Sequence, residues 1–196
     1  MRYEKGHKDA TRQHIIDAAS GQFRENGVAA VGIAGIMSGA GLTNGAFYAH
    51  FKSKEDLVLA VLSNALRRRE ETLRSASAAD AGLEATIRDY LSARHRDRPG
   101  GGCPTAALVA EVARHPKPTR DAFTGKISSF IELIATQIRN GSARERRRNA
   151  VAIYGMMVGT LQIARAVNDR QLSDEILESG ISAALVLAGE ADAGSA

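Results

Sequence analysis

Apolar residues recur at intervals of three and four along most of the chain, as in Ile15, Ile16, Ala19 and Phe23, and no stretch alternates apolar and polar with a period of two. Such spacing gathers apolar side chains on one face of a helix and scatters them over both faces of a strand. An all-α fold follows. Punctuation then divides the 196 residues into about nine helices. The first, over 9–26, ends at Gly27, a residue suited to the left-handed C-terminal cap. Short helices over 33–38 and 43–51 flank the turn Gly39-Ala40-Gly41, with Thr43 as the expected N-cap of the second. Ser53 caps a long helix over 55–74, where Glu55 and Asp56 complement the helix dipole. The small, polar residues 75–82 read as a joint. Further helices are expected over 83–96, 104–115, 119–140, 143–169 and 173–187. The glycine-rich 98–104 reads as a loop, Pro104 as the first turn of its helix, and Lys117-Pro118 as another break. The tail 189–196 is expected to be disordered.

Composition narrows the function classes. Hydrophobic residues at 44% and charged residues at 24% are enough for a folded core. A net charge of +4 favours an anionic partner only mildly. The lone cysteine, Cys103, excludes an intrachain disulfide and any multi-cysteine zinc site, and fits a reducing compartment. Histidines at 7, 14, 50, 95 and 115 show no ligand spacing, so neither metal nor cofactor is expected. Residues 1–14 are charged and lack the apolar stretch of a signal peptide, which points to the cytoplasm. The most apolar run, 150–164, falls short of the roughly 20 residues needed to cross a bilayer and reads as a buried helix, so no membrane is implied.

The segment 27–54 carries the chemistry. Two short helices meet at Ala40-Gly41, and the second reads Leu42-Thr43-Asn44-Gly45-Ala46-Phe47-Tyr48-Ala49-His50-Phe51. This is helix-turn-helix spacing, in which the turn glycine lets the second helix leave steeply and enter a major groove. Thr43 and Asn44 are short donors and acceptors able to meet base edges, and Gly45 permits close approach of backbone to backbone. Tyr48, His50 and Lys54 offer donors to flanking phosphates. Residues 1–54 hold seven Lys and Arg against four Asp and Glu, three of the four surplus charges. On spacing alone, an ordinary helical hairpin with an exposed Tyr and Lys fits equally well. A dinucleotide fingerprint at Gly39 fails, because Asn44 stands where the third glycine belongs and no strand precedes it. His95-Arg96-Asp97 matches a kinase triplet by letters only and reads as a solvated helix end.

Taken together, Phe23, Gly27, Ile36, Ala40-Gly41, Gly45, Phe47-Tyr48, Phe51, Ser53-Lys54-Glu55 and Leu57 resemble the TetR family of bacterial transcription regulators, with matching spacing from about Thr11 to Leu62. The resemblance implies a three-helix DNA-binding domain over 1–54 and a ligand-binding and dimerisation domain over 55–188, with helix 55–74 as connector. It also implies that Thr43, Asn44 and Gly45 face the groove while Tyr48, His50 and Lys54 hold phosphates. Two departures stand out. Val31 and Gly32 replace a Thr pair frequent at the second helix, leaving only backbone N–H groups there, and Met37 replaces an Ala.

Within 150–164, Gly155 and Gly159 stand one turn apart in a helix apolar on nearly every face. A chain of this size has few neighbours to cover such a helix unless a second copy supplies some. The expected homodimer face joins Gly155 and Gly159 to the stripe Ile176, Leu177, Ile181 and Leu185; burial within one chain is the alternative. Cys103, after three glycines and before Pro104, stands at a helix N-terminus that favours a thiolate. Gly102-Cys103, Leu108 and Glu111-Val112 are similar to a segment of TetR-type regulators that sense electrophiles or oxidants; an inert, half-buried cysteine is the alternative. The expectation is a homodimeric, non-enzymatic repressor of a palindromic operator, released by a small molecule or reactive electrophile acting on the C-terminal domain. The rival is a helical ligand-binding or enzymatic protein whose basic N-terminus is incidental; steep loss of DNA affinity with salt separates the two.

Overall fold

The computed structural model describes residues 5–78 and 82–190, and within them every regular element is helical. The order is α1 (Lys5–Asn26), α2 (Ile33–Gly39), a 3-10 helix (Asn44–Ala49), α3 (Lys54–Ala78), α4 (Gly82–Tyr90), the single turn α5 (Ala93–Arg96), a 3-10 turn (Pro99–Gly101), α6 (Pro104–Val112), α7 (Lys117–Gln137), α8 (Ala143–Ala166) and α9 (Arg170–Ala188). Ile15, Ile16, Ala19 and Phe23 of α1 are buried against Ile36, Met37, Phe47, Phe51 and Leu57, which closes the N-terminal core. Val31, the first departure from the family pattern, is buried there too, so the lost hydroxyl is exchanged for apolar contact. The rest of α3 packs on α7, and α8 on α9, around Leu83, Ile87, Phe130, Ile134, Ile153, Leu161 and Leu177.

Several boundaries move for physical reasons. The helix expected over 55–74 continues to Ala78, sustained by i,i+4 pairs Arg67–Glu71 and Arg74–Glu70. The joint expected at 75–82 is therefore helical as far as Ala78, and 79–81 lie outside the described residues. The helix expected over 83–96 is broken, because the Ser92 hydroxyl accepts the His95 amide and starts α5 afresh. Pro118 sits in the first turn of α7 and begins that helix rather than breaking the chain. Gly189 caps α9 with φ +75°; the remaining tail, 191–196, lies outside the described residues.

Arg96 corrects the reading of a solvated helix end. It is 5% exposed and binds Ser173 and Asp174 of α9 as well as Asp97, while Arg165 of α8 donates to the carbonyls of His95 and Arg96. Sequence gives no sign of the α8 and α9 partners, which lie more than 65 residues away. Among the described residues no helix is long and apolar enough to cross a membrane.

Candidate functional site

The turn between α2 and the 3-10 helix rests on Gly41, whose φ of +66° costs a side chain dearly and glycine nothing. Its amide bonds Ser38, the Leu42 amide bonds Met37, and a His14 ring nitrogen contacts the Ala40 carbonyl at 2.9 Å, tying the turn to α1. Phe47 is fully buried, meets Phe51 with ring centres 5.6 Å apart, and anchors the 3-10 helix. That anchor leaves Thr43, Asn44, Gly45 and Tyr48 together on the outer side, with Tyr48 67% exposed.

Four expectations for this segment need correction. The second helix is a 3-10 helix of six residues rather than an α-helix over 43–51. Thr43 makes no side-chain capping bond, so its hydroxyl is free for an outside partner. Nothing lies within 4 Å of where a Cβ on Gly45 would stand, so the glycine serves no close backbone approach inside the protein; the room is on the outer face. Lys54 does not extend freely, for its ammonium donates to the Val28 carbonyl at 2.6 Å. Its first structural role is to hold the loop after α1.

His50 is half-buried, and its Nδ1 has no hydrogen-bond partner among the described residues. Burial, with repulsion from Lys8 and Arg12, pushes its imidazole below the ordinary histidine range. It is therefore neutral at pH 7 and can offer a phosphate one N–H, not a cation. The nearby cations are Lys8 and Arg12 of α1, the latter 4.6 Å over the Phe51 ring, together with exposed Lys52. Motif spacing does not reach Lys8 or Arg12, about 40 residues earlier.

A carboxylate cradle joins this unit to the body. Glu111, at the end of α6, accepts the amides of Val28 at 3.1 Å and Ala29 at 3.0 Å. Gly27, with φ +80°, caps α1 as expected, and a Cβ there would stand 2.8 Å from Glu111 Oε1. Glu55, in the first turn of α3, accepts the Thr119 hydroxyl at 2.7 Å and meets His115 Nδ1 at 2.8 Å. One side of the α6–α7 corner thus grips the N-terminal unit and the other grips the first turn of α3.

At its other end α6 begins at Cys103. The thiol is 2% exposed, which overturns the expectation that the glycine loop gives access to it. It faces a narrow crevice with Arg69, Tyr90, Phe130, Tyr154 and Met157. Burial pushes the Tyr90 phenol well above its usual range; its hydroxyl has no ordinary hydrogen-bond partner among the described residues, whereas Tyr154 donates to Thr105 or accepts from it at 2.9 Å. Free space in the crevice is only about 10 Å³, no more than one water needs.

Gly155 of α8 is exposed and Gly159 half-buried, and nothing lies within 4 Å of a Cβ at either. Val151 and Ile163 on the same outer side are 49% and 56% exposed. On α9, Ile176 and Ile181 are partly buried, but Leu185 is 6% exposed and belongs to this chain's own core. The apolar residues α9 leaves uncovered are instead Leu172 and Val186. A stripe read from periodicity cannot say which of two adjacent faces the same chain covers.

Geometry thus defines an all-helical body carrying a compact helix-turn-helix whose polar residues face outward. Comparison with known proteins agrees on both halves. Residues 15–61 match the model of bacterial regulatory proteins of the tetR family, and residues 79–179 match that of a tetracyclin repressor-like C-terminal domain. The chain belongs to the TetR family. It is 45% identical over 56 residues to the HTH-type transcriptional regulator AcrR of Shigella flexneri, covering 29% of this chain and 26% of that protein. It is 34% identical over 92 residues to the HTH-type transcriptional repressor KstR2 of Mycobacterium tuberculosis, covering 47% and 35%. The matches thus span about a quarter to a third of these curated relatives' length. Whole-chain similarity is structural: reduced Escherichia coli NemR at 21% identity and TM-score 0.74, covering 89% of this chain and 95% of that one, and a TetR regulator of Chloroflexus aurantiacus at 26% and 0.73, covering 93% and 94%.

Proposed function

We propose that the protein is a homodimeric, cytoplasmic transcriptional repressor that binds a palindromic operator and leaves it when an effector opens the crevice around Tyr90, Cys103 and Tyr154. The observation that carries this reading is the outward cluster of Thr43, Asn44, Gly45 and Tyr48 on a helix anchored by Phe47. Thr43 and Asn44 read base edges, Gly45 lets the helix approach the groove, and Tyr48 and His50 donate to phosphates. Lys54 supports the reading helix through Val28, while Lys8, Arg12 and Lys52 supply the charge. Residues 1–54 form the DNA-binding part and 55–188 the effector-binding and dimerising part, with α3 crossing between them. Uncovered apolar surface at Gly155, Gly159, Val151, Ile163, Leu172 and Val186 supports a second copy on the α8–α9 face.

Release follows from the packing. A crevice with room for one water admits an effector only in a conformation where its walls have parted, so binding selects that conformation. Since α6 runs from Cys103 to Glu111 at its far end, parting the crevice shifts the cradle around Val28 and Ala29. Reading helices then lose the roughly 34 Å spacing of successive major-groove faces. Fluorescence anisotropy with DNA from the protein's own promoter tests this directly: affinity falls steeply and linearly in log–log form with salt. Affinity insensitive to salt, or absent, would leave the reading without support. A thiol-directed release is the second reading, favoured by the Cys103 thiol lining the same crevice. N-ethylmaleimide then reacts slowly, as burial dictates, and releases the wild type but not Cys103→Ser; equal release of both removes the cysteine from the mechanism.

A further inference from the structure

Outside the crevice, a cleft of about 550 Å³ opens between α1, α3 and the loop before α6. Five arginines line it, Arg24, Arg68, Arg69, Arg94 and Arg98, against two carboxylates. Both carboxylates are already engaged, Asp17 with Arg68 at 3.0 Å and Asp89 with Arg94 at 2.5 Å. Arg24 donates only to neutral groups, the Gly100 carbonyl at 2.5 Å and the Ser20 hydroxyl at 3.0 Å. Arg69 lies 5.5 Å over the Tyr90 ring, and Arg98 is exposed; neither has an ion pair among the described residues. His95 adds no charge, because burial pushes it below the ordinary range and both ring nitrogens are engaged, with Tyr90 O and with the Cys103 amide.

Three guanidiniums therefore line one concave surface without an ion-pair partner among the described residues. Burial, with repulsion from Arg68, pushes Arg24 below its ordinary value, and attraction to Glu25 only partly opposes this. Glu25, which acts on Arg24 electrostatically, lies against Gly100 and does not line the cleft. Arginine forks match the paired oxygens of phosphate and carboxylate groups, and the volume is that of a small-molecule site.

We infer that this cleft binds a small oligoanion, a molecule carrying two or more phosphate or carboxylate groups, held by Arg24, Arg69 and Arg98. The site is distinct from the apolar crevice, although Arg69 borders both. Its occupant bridges α1 to the loop that leads into α6, and so ties the DNA-binding part to the effector-binding part.

Calorimetry on the full chain, without DNA and at fixed ionic strength, tests the site with inorganic pyrophosphate and with citrate as separate probes. One saturable site per protomer is expected for at least one of them, and their relative affinities distinguish phosphate from carboxylate recognition. Arg98→Gln and Arg69→Gln each weaken that binding about tenfold or more, the loss expected for one charged hydrogen-bonding partner. Arg120→Gln, on exposed α7 surface, leaves it unchanged. Absence of binding by both probes, or equal binding by wild type and both cleft variants, overturns the inference. Operator affinity that falls in Arg98→Gln while pyrophosphate and citrate fail to bind marks the cleft as a contact for DNA phosphates and overturns it as well.

Discussion

Replacing Glu111 with alanine deletes the one carboxylate that accepts the Val28 and Ala29 amides, at 3.1 and 3.0 Å. A hydrogen bond to a charged group contributes about 1.5–3 kcal/mol, but Ala29 is exposed and water replaces part of its bond. A net loss of about 1–2 kcal/mol is therefore expected, or a Tm lower by roughly 2–8 °C for a chain of this length. The same loosening must be reversed when the reading helix docks, so operator affinity falls about 5- to 30-fold. Glu111→Gln keeps one accepting oxygen without the charge and falls between the two. Hydrogen exchange at the Val28 and Ala29 amides, read beside anisotropy with labelled operator, reports the local and the functional effect separately. Unchanged protection of both amides together with wild-type operator affinity in Glu111→Ala would refute the coupling argument.

A Cβ at Gly159 would meet nothing within 4 Å inside the protomer, so Gly159→Leu is expected to fold and to raise the monomer fraction in sedimentation; an intact dimer moves the interface elsewhere. Tyr48→Phe weakens operator binding with no change in unfolding, whereas Lys54→Ala lowers both, because its ammonium holds the Val28 carbonyl; an unaltered Tm for Lys54→Ala contradicts that role. His50 has a folded-state pKa below its unfolded value, so the unfolded chain takes up the proton first. Stability from this group is intact above about pH 6.5 and declines as pH falls through that value toward the depressed one, and His50→Gln flattens the decline in denaturation curves collected across that range.

What the sequence made legible was local. Gly27 and Gly41 announced two turns because only glycine takes their positive φ readily, and Ser53 announced the start of α3, where its hydroxyl accepts the Asp56 amide at 3.1 Å. The groove-facing Thr43, Asn44 and Gly45 came from the family resemblance, whereas the burial of Phe47 and Phe51 that turns them outward is seen only in the structure. What stayed hidden was long-range pairing: the engagement of Lys54 by Val28, 26 residues away, and of Glu111 by Val28, 83 residues away. Leu185 shows the limit of periodicity, since an apolar stripe wide enough for two faces does not say which one the chain itself covers. The arginine cleft was invisible for the same reason, its cations being contributed by three separate segments.

The Glu111 cradle bears on how far such regulators can be treated as interchangeable parts. A DNA reader cut at residue 54 and grafted onto another body would leave the Val28 and Ala29 amides without their acceptor and Glu55 behind with His115 and Thr119. A working chimera of this chain must therefore carry the α6–α7 corner along with the reader, or supply a carboxylate at the same place. The useful seam for recombination runs through three dimensions and not between two consecutive residues.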